Sequence, residues 1–435
     1  MKKILLALCI LLLAVASSAA VDSRDFTGVL NDAPYKIRVP QNWNGELLMY
    51  AHGYGYTERL DQRNWFNYSY ADAAPDTYVA PDGSTMEDIL LERGYALAGT
   101  AFRGSGYQVK DGMHNLISLA GYFNELAGKP SRTILIGYSM GGLMALKSAE
   151  SVQIYDGIIA ACAVSSGASK STDLKGAFSM AYDVLFNWPP AWGNWYDVRN
   201  DIDFITEVYP ILLAQLDPTS DRFFENIAKF EFLRVLLDYP PEGFYAPPSW
   251  LASAMFFATQ VLGELEAKAK GPVIQNADHL YRLSDEDKAY LGSIGFTPAQ
   301  IEYLLAEMNA RTTVTAGNPQ RQYLEKYTDL TGDLRRPVVS IHSVYDGIAN
   351  IASEGLLRDA VAAAHKDELL VQAFTDGIYH CGFSGDQLLS AIDAMEYWLD
   401  EGKKPGPEFF PPNIGSNPGF LPAGYVIPSW PIEKK

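Results

Sequence analysis

The sequence is poor in cysteine and in basic residues. Only three cysteines occur in 435 residues, no Cys/His cluster has zinc-finger spacing, and 34 Lys and Arg face 52 Asp and Glu. The net charge of −18 repels phosphate backbones and anionic lipid headgroups, which disfavours nucleic-acid binding. Because 48% of the residues are hydrophobic and 12% are aromatic, a disordered or fibrous chain is excluded. The composition indicates a globular protein with two domains, or with one core that carries insertions.

Residues 1–20 have the pattern of a secretory signal peptide. Lys2 and Lys3 precede the apolar run Ile4–Val15, and small residues follow up to Ala20. A transmembrane anchor is the alternative, but the run is short for a bilayer and has no stop-transfer flank. We therefore expect a secreted or periplasmic protein whose mature form has no membrane anchor.

Export would leave Cys162 and Cys381 in a compartment that permits disulfides. One bridge between them is possible, and two buried thiols are the alternative. The sequence leaves this choice open.

The order of apolar segments predicts an α/β fold. A hairpin is expected where two short alternating segments flank Asn31-Asp32. Later apolar runs are too continuous for half-exposed strands, and helical patterns separate several of them, which predicts a mainly parallel sheet with helices on both faces. The predicted buried strands are Leu47–Ala51, Ala96–Thr100, Thr133–Ile136, Ile158–Val164, Val338–Ile341 and Leu369–Phe374, and the predicted helices between them include Met86–Arg93, His114–Leu126 and Gly142–Val152. Ser384 and Gln387 have the spacing of a capping box at the start of the last helix.

This alternation stops between Val164 and Val338. We predict a core made of residues 21–168 and 337–402, with a mostly helical insertion at 169–336 that serves as a lid or cap. A second packing layer without substrate contact is the alternative for that insertion. A smaller, aromatic-rich insertion is expected at 57–84. Residues 403–435 contain eight prolines and predict an irregular tail on the surface.

The clearest motif is a G-x-S-x-G pentapeptide between a predicted strand and a predicted helix. Its nucleophile candidate is Ser139, on a strained turn at the carboxyl end of the strand. The flanking glycines are expected because a Cβ atom there would collide with the neighbouring strand and helix. The elbow consists of Gly137, Tyr138, Ser139, Met140, Gly141 and Gly142.

A serine nucleophile needs a base, and the base needs an acid that holds its tautomer. Among the six histidines, we expect His380 to be the base because it follows the last buried strand and precedes the last helix. Asp346, at the end of the preceding strand, is the expected acid, and Asp376 is its rival. The backbone amides of Met140 and Tyr54 are the expected oxyanion donors. His52 is expected to shape the loop that carries Tyr54.

The chain order Ser139, Asp346, His380, together with His52-Gly53 upstream, resembles the α/β-hydrolase superfamily. The likeness covers about 45–168 and 337–402. The elbow is similar to that of cutinases and other secreted polyester hydrolases, which are compact and lidless. The long insertion looks more like the capped secreted esterases, feruloyl and tannase types among them, or the proline-directed peptidases of the same superfamily. The resemblance implies an α/β-hydrolase fold and a hydrolase activity.

The residues predict a serine carboxylic ester hydrolase that forms an acyl-enzyme and requires no cofactor or metal. A small-molecule or polymeric ester with a neutral, hydrophobic or aromatic acyl group is the expected substrate, because both insertions are rich in aromatic residues and the net charge is negative. The alternative is a peptidase that uses the same triad on amides, with Glu207 or Glu225 as the candidate carboxylate for a substrate amino terminus. A non-catalytic binding module of the same fold is a third, more distant hypothesis.

Overall fold

The computed structural model describes residues 23–55, 72–75, 84–240, 249–414 and 419–435. The predicted signal peptide, residues 1–20, and most of the aromatic-rich segment 57–84 lie outside the described residues. The predicted core strands and helices lie within them.

The strands of the described chain are β1 (Ser23–Leu30), β2 (Ala33–Pro40), β3 (Glu46–Ala51), β4 (Ala96–Thr100), β5 (Arg132–Tyr138), β6 (Gly157–Ala161), β7 (Gly193–Asn194), β8 (Asp197–Val198), β9 (His279–Leu280), β10 (Val338–Ser343), β11 (Leu370–Thr375) and β12 (Glu433–Lys434). Six of the strands fall on the continuous apolar runs and two more form the predicted hairpin, whereas the two-residue strands β7, β8, β9 and β12 were not predicted and β6 ends three residues earlier than expected. Eight of the strands form one sheet in the order β1-β2-β4-β3-β5-β6-β10-β11.

This sheet is mainly parallel, as predicted. The hairpin β1–β2 is antiparallel and joins β4 in an antiparallel pair. The other neighbours, from β4 through to β11, pair in parallel, so the carboxyl ends of β3, β5, β10 and β11 meet at one edge. That edge is where ligands bind in open α/β sheets.

Thirteen α-helices make up about half of the remaining described chain. They are α1 (Met86–Glu92), α2 (Val109–Ala127), α3 (Met140–Ser151), α4 (Gly167–Phe186), α5 (Tyr209–Gln215), α6 (Phe223–Leu236), α7 (Ser249–Phe256), α8 (Leu262–Ala269), α9 (Asp285–Ser293), α10 (Pro298–Ala310), α11 (Asn318–Tyr327), α12 (Ala352–Ala363) and α13 (Gly385–Glu401). The capping box predicted at Ser384 and Gln387 is present at the start of α13. Short π-helical turns at Phe204–Val208 and Phe257–Val261 adjoin α5 and α8.

Alternate residues of the strands face two different cores. Leu47 and Met49 of β3 pack in one core with α2 and α3, whereas Leu48 and Tyr50 pack in the other with α1 and α13. Since both faces are covered, the strands are apolar at successive positions, which is typical of a parallel sheet.

Helices α4 to α11 form the insertion between β6 and β10. Helix α4 packs against α6, α7, α10 and α11, and α8 packs against α11 and β8. Apolar side chains of these helices belong to the same cluster as those of α2 and α3. The insertion is therefore continuous with the core on one face of the sheet. None of the helices in the described part of the chain is both long and apolar enough to span a bilayer.

The tail is more ordered than the prediction of irregular chain implies. Phe420 forms a bridge with Thr375, and the amide of Leu421 donates to the carbonyl of Phe374. The last strand, β12, pairs with β9 of the insertion. The tail thus passes along the edge of the sheet and ends on the helical insertion.

Candidate active site

Ser139 occupies a strained turn between β5 and α3. Its backbone has φ 56° and ψ −117°, a left-handed conformation that costs a residue other than glycine about 1–3 kcal/mol. A Cβ atom on Gly137 would lie 2.1 Å from the carbonyl oxygen of Gly141, and one on Gly141 would lie 2.0 Å from that of Ala51. A Cβ atom added to Gly142 would lie 2.7 Å from Cβ of Ala163. The turn can approach the neighbouring strands only because these three residues have no side chain.

The structure brings the three predicted triad residues together. Nδ1 of His380 lies 2.6 Å from Oδ2 of Asp346, and its Nε2 lies 2.8 Å from Oγ of Ser139. An ionised carboxylate can only accept a hydrogen bond, so Nδ1 carries the proton and Nε2 is the acceptor for the serine hydroxyl. This is the tautomer that a general base needs.

Topology explains how residues so distant in sequence meet. Ser139 follows β5, Asp346 follows β10, and His380 follows β11. Asp376, the rival acid, is exposed. Asp346, by contrast, accepts a hydrogen bond from Nδ1 of His380. The geometry therefore joins His380 to Asp346.

Asp346 is fully buried, and its carboxylate is held at both oxygens. Oδ1 accepts the amides of Ile348 at 2.8 Å and Ala349 at 2.9 Å, while Oδ2 faces His380. Burial by itself would raise the pKa of this carboxyl, but His380, His342 and the backbone donors outweigh burial and lower the pKa. Asp346 therefore stays ionised at neutral pH.

His52 is buried in the loop after β3. Its side chain is 5% exposed, stacks on Phe102 with ring centroids 4.1 Å apart, and lies with Nδ1 2.7 Å from the carbonyl oxygen of Gly53. Burial lowers the pKa of His52 to about 4, so the ring is neutral at pH 7. The geometry agrees with a role in shaping this loop.

Both predicted oxyanion donors border Ser139. Met140 is the first residue of α3, so its amide has no acceptor within the helix. A Cβ atom on Gly53 would lie 3.2 Å from Cβ of Ser139, so the Gly53–Tyr54 segment passes directly beside Ser139. The Tyr54 hydroxyl donates to Oε2 of Glu264 in α8 at 2.6 Å. The insertion thereby fixes the loop that carries the predicted second donor.

Cys162 and Cys381 form a disulfide, the pairing that the sequence left open. Cys162 directly follows β6, and Cys381 directly follows His380. The bridge therefore ties the loop of the predicted base to the sheet. Cys162, His380 and Cys381 are also the group of potential metal ligands found close together in the described chain, but both sulfurs are in the disulfide.

A buried cluster behind Asp346 was not predicted. Nδ1 of His342 lies 3.3 Å from Oε1 of Glu354, and its Nε2 donates to the carbonyl of Ala349 at 2.9 Å and lies 3.7 Å from Oδ2 of Asp346. Burial opposes the charged forms, yet Glu354 raises the pKa of His342, and His342 lowers that of Glu354. Hydroxyl and amide donors complete the coordination of the Glu354 carboxylate: Ser165, Ser340 and Gln372.

Ser139 opens onto two small cavities. The first, of about 60 Å³, is mostly apolar and reaches into the insertion; its lining includes Met140, Leu143, Lys175, Phe257, Val261, Leu262 and Leu265. The second, of about 90 Å³, also contains His380 and Cys381. Tyr54 and Phe257 border both. A larger cleft of about 500 Å³ lies between β11 and the tail and contains none of the triad residues.

The two candidate carboxylates for a substrate amino terminus are engaged elsewhere. Glu207 pairs with Arg199, and Glu225 pairs with Lys229 at 2.7 Å. Neither residue lines a cavity at Ser139. The geometry gives them no role at this site.

A sequence model of the alpha/beta hydrolase family matches residues 48–325, more than half of the chain. The chain belongs to this family. The superfamily resemblance and the fold class predicted from the sequence are thereby confirmed.

Individual relatives are distant. An o-phthalyl amidase from Xanthobacter agilis is 23% identical, and the alignment covers 88% of this chain and 89% of the amidase. Among solved structures, an esterase from Pyrococcus furiosus is 13% identical with a TM-score of 0.37, covering 90% of this chain and 91% of the esterase. Feruloyl esterase B from Aspergillus oryzae is 15% identical with a TM-score of 0.40, covering 88% and 80% of the two chains.

Proposed function

We propose that the protein is an exported serine hydrolase that cleaves carboxylic esters through an acyl-enzyme. The observation that carries this proposal is the chain of contacts from Ser139 through His380 to Asp346, at 2.8 Å and 2.6 Å. The two cavities beside Ser139 offer separate places for the acyl group and the leaving group. Export is proposed from the pattern of residues 1–20.

In the proposed reaction, Oγ of Ser139 attacks the acyl carbonyl while Nε2 of His380 accepts its proton. Asp346 stabilises the imidazolium, and the amides of Met140 and Tyr54 donate to the oxyanion. His380 then protonates the leaving alkoxide. Water, activated by the same histidine, releases the acyl group and restores Ser139.

We propose that the insertion 169–336 caps this site. The first cavity is lined by Phe257, Val261, Leu262 and Leu265 of the insertion together with Met140 and Leu143 of α3. Such a lining favours a compact hydrophobic or aromatic acyl group.

A second candidate is amide hydrolysis by the same residues. The similarity to an o-phthalyl amidase, across most of both chains, is the observation that favours it. An amide differs from an ester at the leaving group, which must be protonated more fully before it departs. Turnover on matched substrates therefore separates the two functions.

The test uses 4-nitrophenyl esters and 4-nitroanilides of acetate and butyrate. We expect the esters to be cleaved with the higher kcat/KM, and Ser139→Ala to abolish cleavage while its circular dichroism is unchanged. Ser293→Ala, on the surface helix α9, is the matched control and should retain full activity. Because the activated ester is intrinsically the more reactive substrate, cleavage of the anilides with a comparable kcat/KM would already replace the esterase proposal by the amidase one, and undiminished activity of Ser139→Ala would refute both.

A further inference from the structure

We propose that the first cavity is also an anion-binding site, in which Lys175 binds a carboxylate carried by the acyl group of the substrate. This inference rests on the proposed acyl transfer at Ser139 and names its substrate class: a carboxylic ester or amide whose acyl part bears a second, free carboxylate. It departs from the neutral substrate expected from the sequence.

Lys175 is placed where such a group would arrive. It belongs to α4, is 6% exposed, and lines the cavity that contains Ser139 and Met140. Its Nζ donates to the Tyr239 hydroxyl at 3.0 Å and to the carbonyl of Ile348 at 3.4 Å. Ile348 also donates its amide to Asp346, so the lysine contacts the loop of the predicted triad acid.

What singles out Lys175 is the kind of partner it has. Within the described ranges, its ammonium forms no ion pair with an Asp or Glu, and its neighbours are a hydroxyl, a carbonyl and the rings of Tyr239 and Phe257, 5.4 Å and 5.8 Å away. Lys147, a second buried lysine, has Glu150 at 3.2 Å. A buried cation without an anion is costly, so a carboxylate that enters the cavity would gain a strong partner.

The cavity also offers a second donor near Lys175. Ser171 lies four residues earlier on α4 and lines the same cavity, and residues four apart share one face of a helix. An ammonium and a hydroxyl on one face suit the two oxygens of a carboxylate. The remaining lining is mostly apolar and would enclose the chain or ring between the two carbonyl groups.

The overall charge of −18 does not oppose this inference. Repulsion between the protein and an anion acts at long range and is screened by salt within about 8–10 Å. A buried ammonium acts at contact distance, where screening is weak. Affinity for an anion in the cavity is therefore governed by Lys175.

The experiment compares two 4-nitrophenyl esters that differ in one terminal group. One acyl chain is adipate with its free carboxylate, and the other carries the neutral primary amide in its place. We expect wild-type kcat/KM to be higher for the carboxylate, and Lys175→Met to lower it by about 10- to 100-fold for the carboxylate and by less than about 3-fold for the amide. Lys170→Met, which removes the same charge from α4 outside the cavity, is the control.

An equal loss on both esters, or no preference in the wild type, would overturn the inference and leave the esterase proposal standing. Lys175→Gln, which keeps a hydrogen-bond donor, replaces the Met variant if circular dichroism shows that the latter does not fold.

A binding measurement does not need turnover. Calorimetry would compare monomethyl adipate, which has a free carboxylate, with methyl adipamate, which has a neutral amide in its place. Ser139→Ala should bind the acid about 10-fold more tightly than the amide, and Ser139→Ala/Lys175→Met should bind them equally. If Ser139→Ala binds the acid and the amide equally, the inference about Lys175 is overturned. Failure of the wild type to cleave either ester speaks only against the proposed function.

Discussion

Ser139 holds its left-handed backbone conformation because the surrounding glycines let three segments of chain meet. The carbonyl of Ala51 occupies the position that a Cβ atom on Gly141 would need, and the carbonyl of Gly141 occupies that of Gly137. The strain at Ser139 is therefore supported by contacts with β3, β5 and α3. We therefore expect any side chain added at the glycines of this turn to lower the free energy of unfolding.

We expect Gly141→Ala to lower the free energy of unfolding by about 3 kcal/mol, because the new methyl group would overlap backbone atoms that cannot rotate away. Gly121→Ala in α2 is the matched control, since no atom lies within 4 Å of its added Cβ. That change should raise the free energy by about 0.5–1 kcal/mol, as alanine favours a helix. Urea denaturation measures both, and an equal effect of the two substitutions would refute the packing argument.

Asp346 differs from its rival Asp376 in being buried and bound at both carboxylate oxygens. Asp346→Asn should lower kcat by about 10³- to 10⁴-fold, because an amide can hold His380 in the wrong tautomer. The substitution should leave the far-ultraviolet circular dichroism unchanged. Asp376→Asn, at an exposed position four residues before His380, is the control and should retain its activity. If instead Asp376→Asn is the inactive variant, Asp346 is not the acid.

At the scale of elements, β10 and α12 are joined by the buried ion pair between His342 and Glu354. Strand β10 carries His342, α12 carries Glu354, and Gln372 of β11 donates to the same carboxylate at 2.6 Å. The pair lies directly behind Asp346, whose Oδ2 is 3.7 Å from Nε2 of His342. It therefore links the strand that leads to the predicted acid with the helix that follows.

Glu354→Gln should destabilise the protein by about 3–5 kcal/mol at pH 6, because the buried His342 would lose the carboxylate that stabilises its charged form and would have to remain unpaired or release its proton. The pKa of His342 is raised in the folded state, so its stabilising contribution is complete below about pH 6.5 and is lost as the pH rises through the folded pKa. The pKa of Glu354 is lowered, so its contribution is present above about pH 4.3 and is lost as the pH falls through the folded value.

The difference between wild type and Glu354→Gln should therefore be largest near pH 6 and should fall as the pH rises through the folded pKa of His342. Urea denaturation at a series of pH values from 6 upward measures it. Glu307→Gln, which removes a partly exposed ion pair with Arg311, is the control and should change stability by less than about 1 kcal/mol at any of these pH values. A loss that does not fall at any higher pH would contradict the charged state assigned to His342.

For the molecule as a whole, the sheet could be predicted because both of its faces are buried. Continuous apolar runs as short as Leu47–Ala51 are typical of strands buried on both faces, and the order of strands and helices then places Ser139, Asp346 and His380 at strand ends. Their meeting at one edge follows from parallel pairing. The predicted triad could therefore be located from local sequence patterns and strand order alone.

The rest depends on contacts that no local pattern encodes. The position of His342 inside an apolar run indicates only a satisfied core histidine, and its partner Glu354 lies on a helix, where glutamate is common on the surface. Lys175 lies in α4, whose residues are buried on nearly all sides, so helical periodicity does not mark its cavity-facing side. The pairing of β12 with β9 joins segments from the tail and the insertion. Such contacts are set by the packing of the folded chain.

The role of Ser139 as the nucleophile is tested most directly by covalent labelling. The protein would be treated with a fluorophosphonate, which phosphonylates activated serines, and the modified peptide would be identified by mass spectrometry. We expect a single adduct on Ser139, absent from Ser139→Ala and strongly slowed in Asp346→Asn. An unlabelled protein, or an adduct on a different serine, would contradict the assignment of the active site.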